Sequence, residues 1–167
     1  MNAPRIYLET TIPSYLVARP SRDPILGGQQ EATKQWWRQE KDMGQWFVSA
    51  FVETEVGRGD PHAARERMAA IAGLPRLVLG EEVLMLVACI LDAGLIPVRA
   101  EMDAAHIAIA AVHEMDLLLT WNCTHIHNVA IARHVEKICA RAGYSCPVIC
   151  TPFDLLPNSH HENKANP

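Results

Sequence analysis

Short apolar runs alternate along the chain with longer segments in which apolar residues recur at helical spacing. The short runs are rich in Val, Leu, Ile and aromatic residues, a pattern that predicts buried β-strands. They occur at residues 5–8, 46–49, 76–79, 117–120 and 147–150. The segments between them have the periodicity, caps and Gly or Pro breaks of helices. Helices are therefore predicted at residues 12–18, 28–43, 61–72, 81–93, 102–114 and 129–142, with another that begins after Ser49 and carries Glu55.

Strands that alternate with helices predict a parallel sheet covered by helices on both faces. We therefore expect an α/β fold with three layers, α/β/α, around a central, mainly parallel sheet. Residues 1–157 form a single domain in this interpretation. The tail at residues 158–167 is polar and is expected to be disordered.

The most apolar segment, residues 83–90, is much shorter than the ~18 residues that suggest a membrane span. We expect it to lie in a buried helix. The first residues lead directly into the first strand, without the apolar core of a signal peptide. The pattern therefore favours a cytoplasmic protein.

Composition excludes one class of function and leaves others open. Hydrophobic residues make up 49% of the 167 residues and charged residues 20%, which is ordinary for a soluble globular protein. The formal net charge of −4 argues against a protein that coats DNA or RNA non-specifically. It does not exclude a nuclease, whose metal site needs clustered carboxylates. The five cysteines form no CxxC pair, so we expect reduced thiols that pack in the interior.

Four polar side chains fall where such folds bind ligands, beyond the carboxyl ends of the strands. Glu9 follows the first strand, and Glu55 lies in the helix after the second. Asp103 begins an alanine-rich helix, and Asn122 follows the fourth strand. Each has an ordinary interpretation alone, as a helix cap, a solvated charge or a turn residue. Together they can supply oxygen ligands to a hard divalent cation, which suits metal-assisted phosphodiester hydrolysis.

The segments that contain these residues, 7–11, 48–56, 102–110 and 118–122, resemble the four signature blocks of PIN domains. They look most like the VapC-like toxin ribonucleases of type II toxin–antitoxin systems. The resemblance implies a PIN-like nuclease domain that acts as a metal-dependent endoribonuclease on RNA. It also implies Mg²⁺ or Mn²⁺ as cofactor, a cognate antitoxin protein as partner and a homodimer. The metal ligands and catalytic residues that it implies are Glu9, Glu55, Asp103 and Asn122.

Two of these positions depart from the family pattern. The first block usually carries Asp, and Glu9 adds one methylene. The fourth position is commonly Asp, whereas Asn122 offers an oxygen without a charge. Because three carboxylates neutralise a second cation poorly, we expect one tightly held metal and a second that is weak or supplied with the substrate. Glu53 points away from Glu55 in a helix and is interpreted as surface.

Hydroxyl groups beside the proposed ligands are predicted to support the site. Thr10 and Thr11 could hydrogen-bond a ligand carboxylate or a metal-bound water, or could instead cap the first helix. Thr120 has the same possible role toward the site. Ser49 is predicted to cap the helix that carries Glu55 and thereby to orient it.

Charged and aromatic residues near the cleft are candidates for contacts with RNA or a partner. Arg19, Arg22 and Arg58 lie in predicted loops and could bind phosphates, although solvated surface charge is the alternative. Trp36 and Trp37 could leave apolar surface for an antitoxin helix or a second subunit, or could pack internally.

Other residues with possible chemistry receive structural interpretations. His106 is one helical turn from Asp103 and could face the site, but it is taken as a polar residue at a helix edge. Trp121 is expected to pack internally rather than to stack on a base. Cys123, His125 and His127 alternate in a way that suggests zinc, with three further cysteines at 139, 146 and 150 as possible ligands, but the spacing matches no usual paired zinc pattern.

Two other functions compete with an RNA endonuclease. The first is a PIN-fold module that binds RNA or protein and whose metal site is weakened or inactive. The second is a structure-specific DNA nuclease, which the short chain disfavours because it lacks extra helical regions to hold duplex DNA.

Overall fold

Five parallel strands form one sheet in the computed structural model, which describes residues 3–40 and 44–156. Their order across the sheet is β3-β2-β1-β4-β5, and every pair of neighbours is parallel. The predicted α/β fold class is therefore confirmed. The strands are β1 Arg5–Leu8, β2 Gln45–Ser49, β3 Arg76–Leu77, β4 Leu117–Leu119 and β5 Val148–Cys150.

Helices connect the strands and cover the sheet. Within the described residues α1, α2, α4 and α8 pack on one another, and α5 packs on α6 and α7. This grouping agrees with a three-layer α/β/α arrangement. The helices are α1 Thr11–Val17, α2 Pro24–Glu40, α3 Ala50–Val56, α4 Pro61–Ile71, α5 Glu81–Asp92, α6 Glu101–Val112, α7 Val129–Arg141 and α8 Pro152–Leu155, and a 3₁₀ turn at Val98–Ala100 precedes α6.

Two predicted boundaries are wrong. Helix α2 begins at Pro24 rather than at residue 28, because Asp23 Oδ1 accepts the Leu26 N–H at 2.8 Å and proline suits the first turn of a helix. Strand β3 ends at Leu77, and the predicted residues 78 and 79 are exposed. The predicted helix end at residue 43 and the predicted tail at 158–167 lie outside the described residues.

The apolar helix α5 is buried on one face only, which corrects the expectation of a buried helix. Val83 and Leu86 are sealed in the core, whereas Leu84 and Met85 are 55% and 64% exposed. The buried positions recur at helical spacing, as in a helix that covers one side of a sheet. Within the described residues, no helix combines the length and the apolar character needed to cross a membrane.

Tryptophan packing anchors the helix layer formed by α2. Trp36 is completely buried, and its ring lies edge-on to that of Trp46 with the centroids 5.0 Å apart. Trp37 is half-buried and packs against the same core. The alternative that the tryptophans pack internally is therefore correct for Trp36, which offers no surface to a partner.

The order of the strands determines where a ligand can enter. The chain passes from β1 through β2 to β3 on one side, and returns to β4 and β5 on the other. The direction therefore reverses between β1 and β4, and the loops that leave these two strands diverge there. Open α/β sheets bind ligands in such a crevice, at the carboxyl ends of the strands.

Replacing Trp36 with alanine should lower the free energy of unfolding by ~3–5 kcal/mol, because it leaves a large cavity in the core where the ring is buried. Urea denaturation followed by circular dichroism measures this change. Trp37→Ala is the matched control in the next position, and it should cost less because Trp37 is only half-buried. Equal losses in the two variants would contradict the packing described here.

Candidate metal centre

Glu9 is a buried carboxylate at the crevice between β1 and β4. Its backbone N–H donates to the Leu119 carbonyl at 3.1 Å, so the residue continues the sheet by one step beyond β1. Its side-chain oxygen Oε2 accepts from the Thr11 N–H at 3.1 Å and from the hydroxyls of Thr11 and Thr120 at 2.5 and 2.8 Å. The residue is only 4% exposed.

The second oxygen of Glu9 lacks a protein partner. Within the described residues, nothing donates a hydrogen bond to Glu9 Oε1, and no Lys, Arg or His forms an ion pair with the carboxylate. A buried charge is costly unless it is paired or binds a metal. Glu9 therefore presents one anchored oxygen and one free oxygen at the crevice.

Glu55 approaches the same place from α3. Ser49 ends β2 and caps α3, since its Oγ accepts the Val52 N–H at 3.4 Å, which confirms the predicted cap. Glu55 Oε2 lies 3.0 Å from His106 Nε2 and accepts a short hydrogen bond from the Thr10 hydroxyl. In the described part of the chain its Oε1 has no partner, so both glutamates are anchored through one oxygen.

The surroundings of Glu55 favour its ionised form. Burial acts to raise its pKa, but the hydrogen bonds from His106 and Thr10 and the electrostatic attraction of His106 and Arg58 act in the opposite direction. The net result is a pKa below the ordinary value of 4.5. Glu55 is therefore an anion at neutral pH and can act as a metal ligand.

Glu9, Glu55 and His106 form a group that could hold a metal ion. Each offers one ligand atom, and these atoms lie within 4.8 Å of one another. His106 is only 1% exposed, so its interpretation as a residue at a helix edge is wrong. The signal was available in the sequence, because residues 104–111 of α6 are apolar on every face apart from this histidine and are all buried.

Asp103 and Asn122 lie at the margin of this group. Asp103 Oδ2 is 2.7 Å from His125 Nδ1, and Asn122 Oδ1 accepts the His125 N–H at 3.1 Å. The Asn122 N–H in turn donates to Thr120 Oγ1 at 2.9 Å, and that hydroxyl donates to Glu9. Hydrogen bonds thus link Asp103 to Glu9, but Asp103 is not in the described group of mutually close ligand atoms.

The three threonines around the glutamates act on the carboxylates. Thr10 donates to Glu55, and Thr11 and Thr120 donate to Glu9. The capping alternative for Thr10 and Thr11 is wrong, because α1 has no side-chain cap hydrogen bond. Thr11 Oγ1 also accepts the Trp121 N–H at 2.8 Å, which ties the loop after β4 to the start of α1.

The arginines proposed to contact RNA are all exposed. Arg58 follows α3 directly, and its positive charge contributes to the low pKa of Glu55. Arg19 and Arg22 lie in the loop after α1, and no described contact joins them to Glu9 or Glu55. A role in binding phosphate stays a prediction for all three.

The remaining sequence hypotheses have structural outcomes. His125 is held by Asp103, and Cys123 Sγ lies 3.9 Å from His127 Nδ1, but no group of three or more ligating side chains among the described residues includes Cys123. Trp121 packs internally, as predicted, and donates from Nε1 to Thr33 at 2.7 Å.

Two further side chains complete this comparison. Glu53 faces away from the centre and pairs with Arg76 at 2.6 Å. The cysteines form no disulfide in the described residues, and those at 89 and 123 are exposed rather than packed in the interior.

Comparison of the chain with protein-family models, with curated protein sequences and with solved structures gives no match. Interpretation of the centre therefore depends on its geometry and on the resemblance in the four sequence segments.

Replacing Glu55 with glutamine should reduce stability at neutral pH in metal-free buffer. Because the folded state lowers the Glu55 pKa below 4.5, its charge stabilises the fold fully above that value. This contribution is lost as the pH falls through the lower pKa of the folded state. Urea denaturation of both proteins with EDTA, from about pH 7 to about pH 3, should show a stability difference that shrinks toward acid. A difference that grows toward acid would contradict the assignment.

Proposed function

We propose that the chain is a metal-dependent endoribonuclease that hydrolyses RNA phosphodiesters at the centre formed by Glu9 and Glu55. The observation that carries the proposal is the state of these two carboxylates, each anchored through one oxygen while the other has no described protein partner. Carboxylates that lie close together at a switch-point crevice, each with one free oxygen, are the donors that Mg²⁺ and Mn²⁺ prefer. The residues present therefore fit such a cation.

The chemistry follows from the position of the centre. A divalent cation bound there would orient a phosphodiester, lower the pKa of an attacking water and stabilise the leaving oxygen. The chain supplies the anionic oxygens of Glu9 and Glu55, and hydrogen bonds from Thr11 and Thr120 keep Glu9 in place. Arg58 lies on the α3 side, where an exposed guanidinium can contact a phosphate of the RNA.

Asp103 would complete the donor set in this proposal. One of its oxygens contacts His125, and the other has no partner among the described residues. Hydrogen bonds through His125, Asn122 and Thr120 connect it to Glu9. The three carboxylates would supply a charge of about −3, which suits one tightly held divalent cation.

A second candidate function is a module that binds RNA or protein without cutting it. The observation that favours it concerns Asp103 and Asn122, the two predicted ligands that lie outside the group of Glu9, Glu55 and His106. His125 contacts the Asp103 carboxylate and the Asn122 amide oxygen, so both already have a protein partner. A site limited to Glu9 and Glu55 would hold a cation more weakly. The resemblance to toxin ribonucleases adds a cognate antitoxin and a homodimer to either form of the proposal.

The nuclease proposal predicts that the protein cleaves RNA with Mn²⁺ or Mg²⁺ and loses this activity in EDTA. Removing a carboxylate ligand in Glu55→Gln should lower the rate by more than the ~10- to 100-fold typical of residues that support a ligand. Glu53→Gln is a matched control two positions away in α3, where Glu53 pairs with Arg76 instead, and it should cleave like the parent.

Asp103→Ala separates the two functions. The nuclease loses cleavage when Asp103 is truncated, whereas a binding module retains its RNA affinity and never cleaves. Parent protein that binds several RNAs but cuts none of them in Mn²⁺ would overturn the nuclease proposal and support the module.

A further inference from the structure

A line of buried polar groups runs from the core to Glu55. Tyr7 lies in the middle of β1 and is completely buried. Its hydroxyl is 2.7 Å from Ser49 Oγ at the end of β2 and 2.8 Å from His106 Nδ1 on α6. The opposite ring nitrogen of His106, Nε2, is 3.0 Å from Glu55 Oε2. Four side chains from four elements are thus connected, and Tyr7, Ser49 and His106 are almost completely buried.

Matching each donor with an acceptor favours one arrangement of these hydrogen bonds, in which every group donates toward Glu55. Tyr7 is completely buried, where the neutral phenol is favoured over the phenolate, so its hydroxyl keeps its proton. Ser49 can donate to Tyr7, Tyr7 to His106 Nδ1, and His106 Nε2–H to Glu55. Every proton in this arrangement has an acceptor, and Ser49 still accepts the Val52 N–H at 3.4 Å.

The opposite direction leaves groups unpaired. If His106 Nδ1 carried the only ring proton and donated to Tyr7, the Nε2 lone pair would face the Glu55 carboxylate at 3.0 Å. Two acceptors in contact repel each other. The Ser49 proton would also lose its acceptor, since no other partner for it occurs among the described residues. Unpaired buried polar groups cost ~1–3 kcal/mol each.

We propose that Ser49, Tyr7 and His106 form a relay that positions Glu55 for the cation, with His106 a hydrogen-bond donor and not a metal ligand. This inference rests on the proposed function, because it assumes that Glu55 binds a divalent cation. Once Nε2 carries a proton that is donated to Glu55, it has no lone pair for a metal. The donor set then consists of oxygens, as hard cations prefer.

The relay explains why Glu55 is anchored through Oε2. The Nε2–H of His106 and the hydroxyl of Thr10 both point at this oxygen, which fixes the side-chain rotamer and leaves Oε1 without a described protein partner. His106 itself cannot rotate, because its other nitrogen is held by Tyr7. Hydrogen bonds to ligating carboxylates tune metal sites in this way.

Tyr7→Phe tests the relay because it removes one hydroxyl and preserves the ring that fills the core. The dissociation constant of Mn²⁺, measured by calorimetry on the full chain, should rise by about 10- to 100-fold. Tyr144→Phe is the matched control, since Tyr144 precedes the edge strand β5 and no described hydrogen bond of its hydroxyl reaches His106 or Glu55. It should bind Mn²⁺ like the parent. Equal affinities of the parent and Tyr7→Phe would overturn the relay.

The tautomer of His106 gives a test that needs no metal. Nitrogen NMR of histidine-labelled protein in EDTA should find the proton of His106 on Nε2 and none on Nδ1. In Tyr7→Phe the proton should stay on Nε2, which still donates to Glu55, whereas the Nδ1 resonance should shift because Nδ1 no longer accepts from the phenol. A parent ring protonated on Nδ1 would contradict the relay.

His106→Gln separates positioning from ligation. A glutamine amide can place an N–H near the position of Nε2 but has no nitrogen lone pair. Pulsed EPR detects nitrogen bonded directly to Mn²⁺, and the relay predicts identical spectra for parent and His106→Gln. Loss of a nitrogen signal in this variant would identify His106 as a ligand and overturn the proposal.

The tests distinguish failure of the relay from failure of the proposed function. Absence of Mn²⁺ binding in the parent would reject the metal centre and with it the role of the relay in positioning Glu55. Normal Mn²⁺ binding with an unchanged dissociation constant in Tyr7→Phe would reject the relay alone. Absence of RNA cleavage would not change the outcome of these tests, because they measure Mn²⁺ affinity, the His106 tautomer and the EPR spectrum rather than activity.

Discussion

The burial of one carboxylate constrains this whole region of the fold. Glu9 stands at the end of the central strand, 4% exposed and without a described cationic partner. Removing an unpaired carboxylate from water is costly, so the surrounding chain must compensate. Two threonines donate to one of its oxygens, and the second oxygen is left for a ligand. The hydrogen bonds from Thr11 and Thr120 to Glu9 also fix the segments that follow β1 and β4.

Residues in and directly after strand β1 contact both sides of the centre, Glu9 and Glu55. Tyr7, two residues before Glu9, reaches His106 and through it Glu55. Thr10, one residue after Glu9, donates to Glu55 directly. The segment from Tyr7 to Thr10 thus carries Glu9 and also positions Glu55. Because β1 is the central strand of the sheet, this segment is fixed by β2 on one side and β4 on the other.

The fold was predictable because its signals are local and repeated. Alternating strands and helices gave the three-layer class, and a side-chain cap such as Ser49 could be recognised from position alone. The errors arose where tertiary contacts decide. Helix α5 contains few polar residues, so its exposed face, with Leu84 and Met85, could not be distinguished from its buried one. Strand β3 lies at the edge of the sheet and ends two residues earlier than predicted, and residues 78 and 79 are exposed there.

The centre was predictable only in part. Convergence of Glu9 and Glu55 followed from the rule that ligands bind beyond the strand ends. The burial of His106 was not predicted, although residues 104–111 are apolar apart from this histidine, a pattern typical of a helix buried on every face. The pairing of Asp103 with His125 depends on the loop after β4, whose course no periodicity describes.

Anomalous scattering from a crystal soaked in Mn²⁺ tests the central claim most directly. The account predicts one strong peak between Glu9 and Glu55, in contact with Oε1 of each carboxylate and not with the His106 ring. A peak elsewhere, or an ordered crystal with no peak at this position, would contradict it.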